Sequence, residues 1–594
     1  MEWRHSFMSF RSEYSKTQTI LYILRWVMGL TALAGAILLL LEYGFYLSRR
    51  QHDQIGSALI LIGVFFVNGY IAQLFIRRDR WRYARSNLIK YLFTAFILLD
   101  LLSVSVFHLD LRQIPGVHKI AALTLQDPHR LVLQVYILMN ILRWIVKIVQ
   151  FLAQFNSSPA RFIVMSFSIT ILAGSGLLLL PTSTNVPLSP LDALFTATSA
   201  VCVTGLIVVD TATAFTRSGQ VIILGLIQLG GLGIMTVTAF FSLFLGQRMS
   251  GREQVLLGDM LKTDRLARLG AVLKIVLLTT LGIEVCGAVL LYMSWQDMFL
   301  PRQALYFSVF HAVSAFCNAG FSTFSDSLLP FAGHIRINLI ICALIVLGGI
   351  GFSTLSELGT YTSQKIARKR HTRLSVQSRL ILLTTAVLLL SAALAFLALE
   401  HHDALNEQPF HQKLLSALFQ SVTLRTAGFN TVDFSALNDS TLMLALPLMF
   451  IGAAPGSTGG GLKVTTVAIL LSTVFALARG RSRVELFRRS IPVSVSYQAI
   501  VVVTLYLIVA FSVAFLLTLT EARRPIALLF ETVSALATVG VTTGVTPELS
   551  IPGRLLLIGT MFLGRIGPFT LALAIGQRQH SERYRYPEEQ VHIG

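Results

Sequence analysis

Long apolar runs constrain this chain more than any other feature of its sequence. A helix that crosses a bilayer needs about 20 mostly apolar residues, and twelve stretches are candidates for such spans. These stretches lie at 21–47, 57–76, 88–108, 131–153, 162–181, 219–246, 271–294, 335–357, 378–399, 440–477, 495–519 and 553–576. The segments between them are too short for a folded soluble domain, so the sequence predicts an all-α polytopic membrane protein.

The composition excludes two other classes of protein. Of 594 residues, 54% are hydrophobic and 13% are charged, against about 25% charged residues in a typical soluble protein. A net charge of +19 would indicate a nucleic-acid partner in a soluble protein, but here the basic residues lie in short loops. A membrane enzyme would need polar catalytic groups that converge at membrane depth, and the sequence shows no such motif. We therefore expect neither an enzyme nor a nucleic-acid-binding protein.

The basic loops predict the orientation of the chain. Four loops are rich in lysine and arginine: 77–90, 247–274, 358–379 and 478–490. With twelve spans and a cytoplasmic N-terminus, all four lie on the cytoplasmic side, as the positive-inside rule requires. Both termini are then cytoplasmic.

From about residue 160 the chain repeats one pattern four times. Each unit has a span, a short apolar segment, a glycine-containing turn and a second span. The turns VCVTGL, FCNAGF, LRTAGF and ATVGVT place their glycines at Gly205, Gly320, Gly428 and Gly540. The glycines are 115, 108 and 112 residues apart, which indicates one supersecondary unit used four times.

The short segment before each turn predicts a re-entrant half-helix on the extracellular side. These segments are LDALFTATSA, YFSVFHAVSAF, KLLSALFQSVT and ALLFETVSALA. Non-helical backbone at membrane depth is tolerated where protein buries it or where it lines water. Four such turns can form a ring whose carbonyl oxygens replace the water shell of an ion.

The segments SAVCVTGL, SAFCNAGFS, TLRTAGFN and LATVGVTTG resemble the filter loops of the Trk/Ktr/HKT potassium transporter superfamily. The chain is most similar to the bacterial TrkH/KtrB-type membrane subunit, over about residues 160–576. The resemblance implies K⁺ conduction, a homodimer, a cytoplasmic nucleotide-binding regulatory ring of the TrkA/KtrA type, and a location in the bacterial inner (plasma) membrane. We expect K⁺ as the transported ion, with Na⁺ as an alternative, and no nucleotide site within this chain.

The expected organisation has four extra transmembrane helices followed by four fused span–pore loop–span repeats. Its boundaries are an N-terminal four-helix region at 1–155, pore repeats at 156–250, 251–362, 363–482 and 483–580, and a cytoplasmic tail at 581–594.

The resemblance also assigns roles to the residues of the four turns. The expected filter consists of Val203, Thr204, Gly205, Asn318, Ala319, Gly320, Thr426, Ala427, Gly428, Thr538, Val539 and Gly540. The expected K⁺ ligands are the backbone carbonyls of Cys202, Val203, Thr204, Cys317, Asn318, Arg425, Thr426, Ala537 and Thr538.

A gate is expected inside the long run 440–477, whose middle reads GAAPGSTGGG. Proline and several glycines disfavour a helix there, so we predict two half-helices joined by a loop at membrane depth. The loop resembles the intramembrane gate of the family, with the expected gate residues Gly452, Pro455, Gly456, Ser457, Thr458, Gly459, Gly460, Gly461 and Arg565. An arginine within a span, such as Arg565, is expensive and indicates a functional site. Lys463 is expected to act similarly, and a static kink remains the alternative for the segment.

Other polar residues carry weaker signals. His311 is expected to bond a neighbouring helix, and Glu531 to attract cations near the fourth turn. A metal site or, preferably, a solvated loop accounts for the cluster Glu400, His401, His402, Asp403 and His411.

Glu284 and Asp100 are buried acids whose partners the sequence does not name. The first four spans resemble a voltage-sensor bundle faintly, with Asp100, Arg143, Lys147 and Gln73 at the relevant positions, but a scaffold or assembly role is the preferred interpretation.

Overall fold

Helices form nearly all the regular structure in this computed structural model, which describes residues 2–77, 79–106, 128–155, 159–233, 269–367, 373–481 and 483–568. The helices that precede the glycine-containing units are α1 (Glu2–Gly44), α2 (Arg49–Ile76), α3 (Arg80–Ser86), α4 (Leu88–Val106) and α5 (Pro128–Phe155). Side chains of α1, α2, α4 and α5 share an apolar interior that includes Phe66 and Tyr136. A helical bundle thus precedes the glycine-containing units, whereas four membrane crossings in it stay a prediction.

The rest of the chain runs through four units with a shared order of elements. The first two units contain α6 (Pro159–Leu178), α7 (Pro190–Cys202), α8 (Thr211–Ala214), α9 (Arg217–Leu232), α10 (Leu269–Trp295), α11 (Pro301–Phe316), α12 (Ile335–Ile350) and α13 (Phe352–Ile366). The last two contain α14 (Val376–Glu400), α15 (Phe410–Thr423), α16 (Asp439–Phe450), α17 (Val464–Ala478), α18 (Val493–Thr520), α19 (Pro525–Leu536) and α20 (Ile551–Ile566).

Between the third and fourth units, β1 (Val484–Leu486) and β2 (Arg489–Ile491) pair as an antiparallel hairpin. Single 3₁₀ turns lie at Leu329–Phe331, Phe434–Ala436 and Thr546–Glu548.

Several helices have the length and apolar character of membrane spans. Within the described residues five qualify: Gln18–Gly44, Arg49–Ile76, Val276–Trp295, Val376–Glu400 and Val493–Thr520. The bent pair α12–α13 makes a sixth if it counts as one span. A polytopic membrane protein is therefore confirmed, whereas the count of twelve spans, the side on which the termini lie and the repeat boundaries stay predictions.

A sharp bend interrupts the second long helix of the second unit. The candidate span 335–357 contains this bend, because α12 and α13 meet at an angle of 104°. The break lies at Gly351, whose φ of 93° favours glycine. Gly233 and Gly567 have similar φ values of 76° and 88° at the ends of α9 and α20. The predicted break within 440–477 is confirmed, since α16 ends at Phe450 and α17 begins at Val464.

Some predicted features lie outside the described residues. These are the second half of the run 219–246, the end of the run 553–576, the tail 581–594 and most of the basic loop 247–274.

A polar contact fastens each boundary between neighbouring units. Asp210 accepts from Ser325 at 2.7 Å between the first and second units, and Leu328 N donates to Asn430 O at 3.0 Å between the second and third. Arg524 lies 3.5 Å from Asp439 between the third and fourth units. The Arg554 guanidinium lies 2.5 Å from the Asp192 carboxylate and closes the circle from the fourth unit to the first.

The two ion pairs differ in burial, which gives a test of this closure. The side chains of Arg554 and Asp192 are 23% and 15% exposed, against 79% and 65% for Arg524 and Asp439. Arg554→Ala should lower the free energy of unfolding by about 2 kcal/mol, because it leaves the Asp192 carboxylate without its partner away from bulk water. Arg524→Ala is the matched control and should cost less than about 1 kcal/mol. Denaturation in detergent measures both, and equal losses would contradict the assignment.

Candidate functional site

Four short helices deliver the predicted turns to one place. The helices α7, α11, α15 and α19, called the pore helices below, lie where the sequence predicted half-helices. Each is followed within a few residues by its glycine, and these glycines have φ values of 92°, 71°, 81° and 91° at Gly205, Gly320, Gly428 and Gly540. All four lie in the region that excludes most side chains, so the conformation explains the glycine at each turn.

The four glycines form a closed ring through their backbones. A methyl group built on Gly205 would lie 2.5 Å from Ala319 O, and one on Gly320 would lie 2.7 Å from Ala427 O. A methyl group on Gly428 would lie 2.8 Å from Val539 O, and one on Gly540 would overlap Thr204 O. Each glycine therefore faces the carbonyl that precedes the glycine of the next unit, and the fourth returns to the first. The structure brings all twelve expected filter residues together in this ring.

The residue two positions before each glycine is also left-handed. Val203, Asn318, Thr426 and Thr538 have φ values of 56°, 58°, 71° and 53°. Such a conformation costs a non-glycine residue about 1–3 kcal/mol and persists where the surroundings enforce it. The same strain in four units shows that one backbone shape is imposed on all four turns. In each turn the strained residue and the glycine two positions later both have positive φ, with one residue between them.

Hydroxyl groups at the ends of the pore helices fix this backbone, and they are absent from the residues predicted from the sequence. Gly205 N donates to Ser199 Oγ and Gly540 N donates to Ser534 Oγ, each at 3.1 Å. Ser314 Oγ donates to Phe321 O at 2.8 Å, and Thr423 Oγ1 donates to Phe429 O at 2.5 Å. A signal was present, because serine stands six residues before the glycine in three of the four turns.

A second layer of polar side chains holds the chain that leaves the second, third and fourth turns. His311 Nε2 lies 3.0 Å from Ser322 Oγ, and its Nδ1 lies 2.8 Å from Phe307 O, so its ring is engaged at both nitrogens. The Gln420 amide lies 3.2 Å from Thr431 Oγ1 in the third unit. His311 is therefore a hydrogen-bonding residue of the turn, as preferred from the sequence, although its hydroxyl partner belongs to its own unit.

Glu531 has the corresponding place in the fourth unit. Its fully buried carboxylate accepts from Thr542 Oγ1 at 2.7 Å, from Thr543 N at 2.8 Å and from Thr546 Oγ1 at 2.5 Å. Both carboxylate oxygens thus hold the outgoing chain behind the ring.

The segment 452–461 lies directly against one end of the ring. A methyl group on Gly459 would overlap Thr426 Oγ1, and one on Gly460 would overlap Thr538 Oγ1. Thr458 Oγ1 donates to Phe316 O at the end of the second pore helix, at 3.0 Å. Residues 458–460 of the predicted gate therefore contact the end of the second pore helix and the third and fourth turns.

Two basic side chains bind the carbonyls of this segment, as expected from the sequence. Arg565 Nη1 donates to Thr458 O at 2.5 Å, and its Nη2 donates to Gly230 O at the end of α9. Lys463 Nζ donates to Gly459 O at 2.9 Å and to Gly460 O at 3.4 Å. Arg565 thus joins the segment to the first and fourth units, whereas Lys463 closes it on itself.

The bend between α12 and α13 supplies further bonds to the segment. Ala454 N donates to Gly349 O at 2.9 Å, and Thr458 N donates to Gly348 O at 3.3 Å. In the opposite direction Phe352 N donates to Gly456 O at 3.0 Å. This connection was not predicted from the sequence, because the apolar run 335–357 indicates one continuous span.

The remaining acids have local partners. Glu284 accepts from Gln228 Nε2 at 3.0 Å. Glu400 is buried and accepts from Thr441 Oγ1 and from Ala404 N. Among the described residues no group of three His, Cys, Asp or Glu side chains is placed to hold a metal ion, and Glu400 instead fixes the start of α16.

The N-terminal bundle holds a basic side chain in its interior. Lys90 is 8% exposed, its Nζ donates to Gln73 Oε1 at 3.1 Å and it lies 3.9 Å from the centre of the Tyr70 ring. Gln73 is the residue expected where a sensor would carry an acid, and here it pairs with Lys90. The side chains of Asp100 and Lys147 lie outside the described residues, so the choice between sensor and scaffold stays open.

Comparison with known proteins decides the family. The family model described as "TrkH: Cation transport protein" matches residues 132–584. This chain belongs to that family. It is 39% identical to the Ktr system potassium uptake protein B of Bacillus subtilis over 439 residues, which are 74% of this chain and 97% of the relative. It is 35% identical to the potassium/sodium uptake protein NtpJ of Enterococcus hirae, over 74% of this chain and 97% of that protein.

The fold agrees with this membership. The crystal structure of the potassium transporter TrkH from Vibrio parahaemolyticus superimposes with a TM-score of 0.60 and 20% identity, covering 83% of this chain and 98% of that one. The resemblance carried by the four turns is confirmed, and so is the expectation of a transport protein and not an enzyme. The family model begins at residue 132, so helices α1 to α4 precede it.

Proposed function

We propose that this chain takes up potassium ions across the membrane through the ring at Gly205, Gly320, Gly428 and Gly540. The closed circle of backbone contacts among these glycines carries the proposal, because a ring of carbonyl oxygens can replace the water shell of an ion. The curated relatives support the choice of ion, since the similar proteins of Bacillus subtilis and Enterococcus hirae are named for potassium and for potassium/sodium uptake.

In this proposal the ions lose water at the carbonyls of the expected ligand residues and then meet the segment 452–461. We place that segment on the axis of the ring, as the gate, and its contacts with Thr426 and Thr538 support this. Arg565 and Lys463 hold it there through its carbonyls. Conduction requires the segment to move aside, and no covalent chemistry takes part.

A regulatory partner on the cytoplasmic side sets the position of the gate. An open potassium path would dissipate the membrane potential, and the chain offers three basic loops there at 247–274, 358–379 and 478–490. These loops suit an acidic-faced nucleotide-binding ring of the TrkA/KtrA type, bound to a homodimer of this chain. Such a ring shifts gating only as far as it prefers the open over the closed arrangement.

A sodium role is the second candidate, which the potassium/sodium uptake protein of Enterococcus hirae favours. In that case Na⁺ is either conducted or required for K⁺ uptake. Rubidium flux into proteoliposomes with and without Na⁺ distinguishes the two: stimulation by Na⁺ indicates coupling, and flux that is independent of Na⁺ indicates a potassium path. Absence of alkali-cation flux from folded protein would refute both.

If the ring is the selectivity filter, adding a side chain to its glycines should lower the preference for K⁺. Gly205→Ser and Gly428→Ser introduce a Cβ atom 2.5 Å from Ala319 O and 2.8 Å from Val539 O, so the carbonyls must move. We expect the preference for K⁺ over Na⁺ to fall by about tenfold, or about 1.4 kcal/mol, while the protein stays folded. Gly176→Ser is the matched control, because a Cβ atom there meets nothing within 4 Å. Unchanged relative permeabilities in both ring variants would disprove the filter assignment.

If the segment 452–461 is the gate, shortening or releasing it should raise ion flux. Deleting 456–460 shortens the segment that occupies the axis, and Arg565→Ala removes its bonds to Thr458 O and Gly230 O. Both changes should raise Rb⁺ flux severalfold without altering the K⁺ to Na⁺ ratio, because the ring is intact. If both variants fold and neither gains flux, the segment is a static kink.

If a partner docks on the basic loops through charges, its control of ion flux should be sensitive to salt. Docking through charges should weaken as the Debye length falls from about 10 Å at 0.1 M salt to about 3 Å at 1 M. Neutralising Arg368, Lys369 and Arg370, which lie outside the described residues, should weaken nucleotide control and leave selectivity intact.

Neutralising the exposed Arg302 and Arg336, predicted on the other side of the membrane, is the matched control. Nucleotide-responsive flux from the purified chain alone would place the control site within this chain instead.

A further inference from the structure

The helix α13 is attached to the segment 452–461 at its first residue. Phe352 N donates to Gly456 O at 3.0 Å, and the rings of Phe352 and Phe316 lie 6.4 Å apart. Gly351 permits the sharp bend before this helix, and a methyl group there would lie 2.7 Å from Pro455 O. The start of α13 is therefore tied to the middle of the segment.

A second attachment lies about one and a half turns further along α13. The Glu357 carboxylate accepts from Ser375 N, from Ser375 Oγ at 2.8 Å and from Ser378 Oγ. Ser375 is the N-cap of α14, whose amide groups favour a negative charge. Hydrogen bonds to an ionised carboxylate are about twice as strong as neutral ones, so these contacts, called the Glu357 clasp below, hold α13 to α14.

The rest of α13 is held weakly. Along its described length Thr354 is the buried residue, and most of its other side chains are half-buried or exposed. A helix of 15 residues is a rod of about 22 Å at 1.5 Å per residue. Its orientation is thus fixed by Gly351 and by the Glu357 clasp, and the basic segment 368–370 follows its far end in the sequence.

We propose that Glu357 is a positioning residue for the gate: it holds α13 in the orientation in which Phe352 bonds Gly456. The proposal rests on the function proposed above, in which 452–461 is the gate. Releasing the clasp lets α13 turn about Gly351 and frees Gly456 O, so the segment leaves the axis more often. A partner that docks on 368–370 would act through the same rod.

The chain contains a matched control for this clasp. Glu521 accepts from Ser550 Oγ at 2.5 Å and from Ser550 N at 3.2 Å, and Ser550 is the N-cap of α20. The chemistry is the same, a glutamate bound to the capping serine of a following helix. The Glu521 carboxylate bonds the start of α20, about 22 Å along that helix from Arg565, and not the helix that carries Phe352, so its removal tests the loosening of a capped helix start.

The experiment compares Rb⁺ flux into proteoliposomes for the full chain and its variants. Glu357→Ala should raise flux by about fivefold, the change in population that the loss of one net hydrogen bond produces, with the K⁺ to Na⁺ ratio unchanged. Glu357→Gln, which keeps one acceptor oxygen, should give a smaller gain, and Ser378→Ala should act in the same direction. Glu521→Ala should leave flux unchanged.

A combined variant separates this proposal from the function on which it rests. In the background of the 456–460 deletion, Glu357→Ala should add nothing, because its route to the gate is gone. If the deletion raises flux while Glu357→Ala and Ser378→Ala do not, the clasp proposal fails and the gate stands. An equal gain from Glu521→Ala, or an additive gain in the deletion background, would also overturn it. If the deletion itself has no effect, the gate assignment fails first.

Discussion

The ring of four glycines is the constraint on which the rest of this structure depends. Each glycine comes within contact of a carbonyl from the next unit, so all four turns must be present and correctly placed at once. The strained residues two positions earlier add a cost of about 1–3 kcal/mol each, which the surrounding packing must offset. The pore helices and their capping hydroxyls, the polar side chains behind the turns and the contacts between units all serve to hold this arrangement.

The ring was predictable from the sequence because it depends on one glycine in each of four turns, and because the backbone conformation there restricts which residue can replace that glycine. Positive φ favours glycine, and close helix packing alone does not produce four glycines at near-equal spacing, each after a short apolar segment. The broken helix between Phe450 and Val464 was predictable for a similar reason, since proline and clustered glycines exclude a continuous helix. In both cases the residue type itself restricts the backbone conformation at its position.

The features that were not predicted depend on contacts between distant residues. The bend at Gly351 was not predicted because it lies in an apolar run, where glycines such as those of the segment LGGIG usually indicate close packing of helices. Arg554 and Asp192 are 362 positions apart, and no local pattern identifies them as a pair. Glu357 was placed at the end of the candidate span 335–357, and its contacts with Ser375 and Ser378 become visible only where α13 lies beside the cap of α14.

The break between α16 and α17 in the third unit gives a physical reason why the four units belong to one chain. A tetramer of identical subunits has fourfold symmetry, and any loop that reached the axis would appear there four times. One copy of 458–460 already contacts three units, at Phe316, Thr426 and Thr538, so four symmetric copies would compete for the same contacts. Fusion into a single polypeptide removes that restriction. One unit can place a broken helix against the ring, and another can supply the arginine that binds it, while all four still contribute a glycine turn.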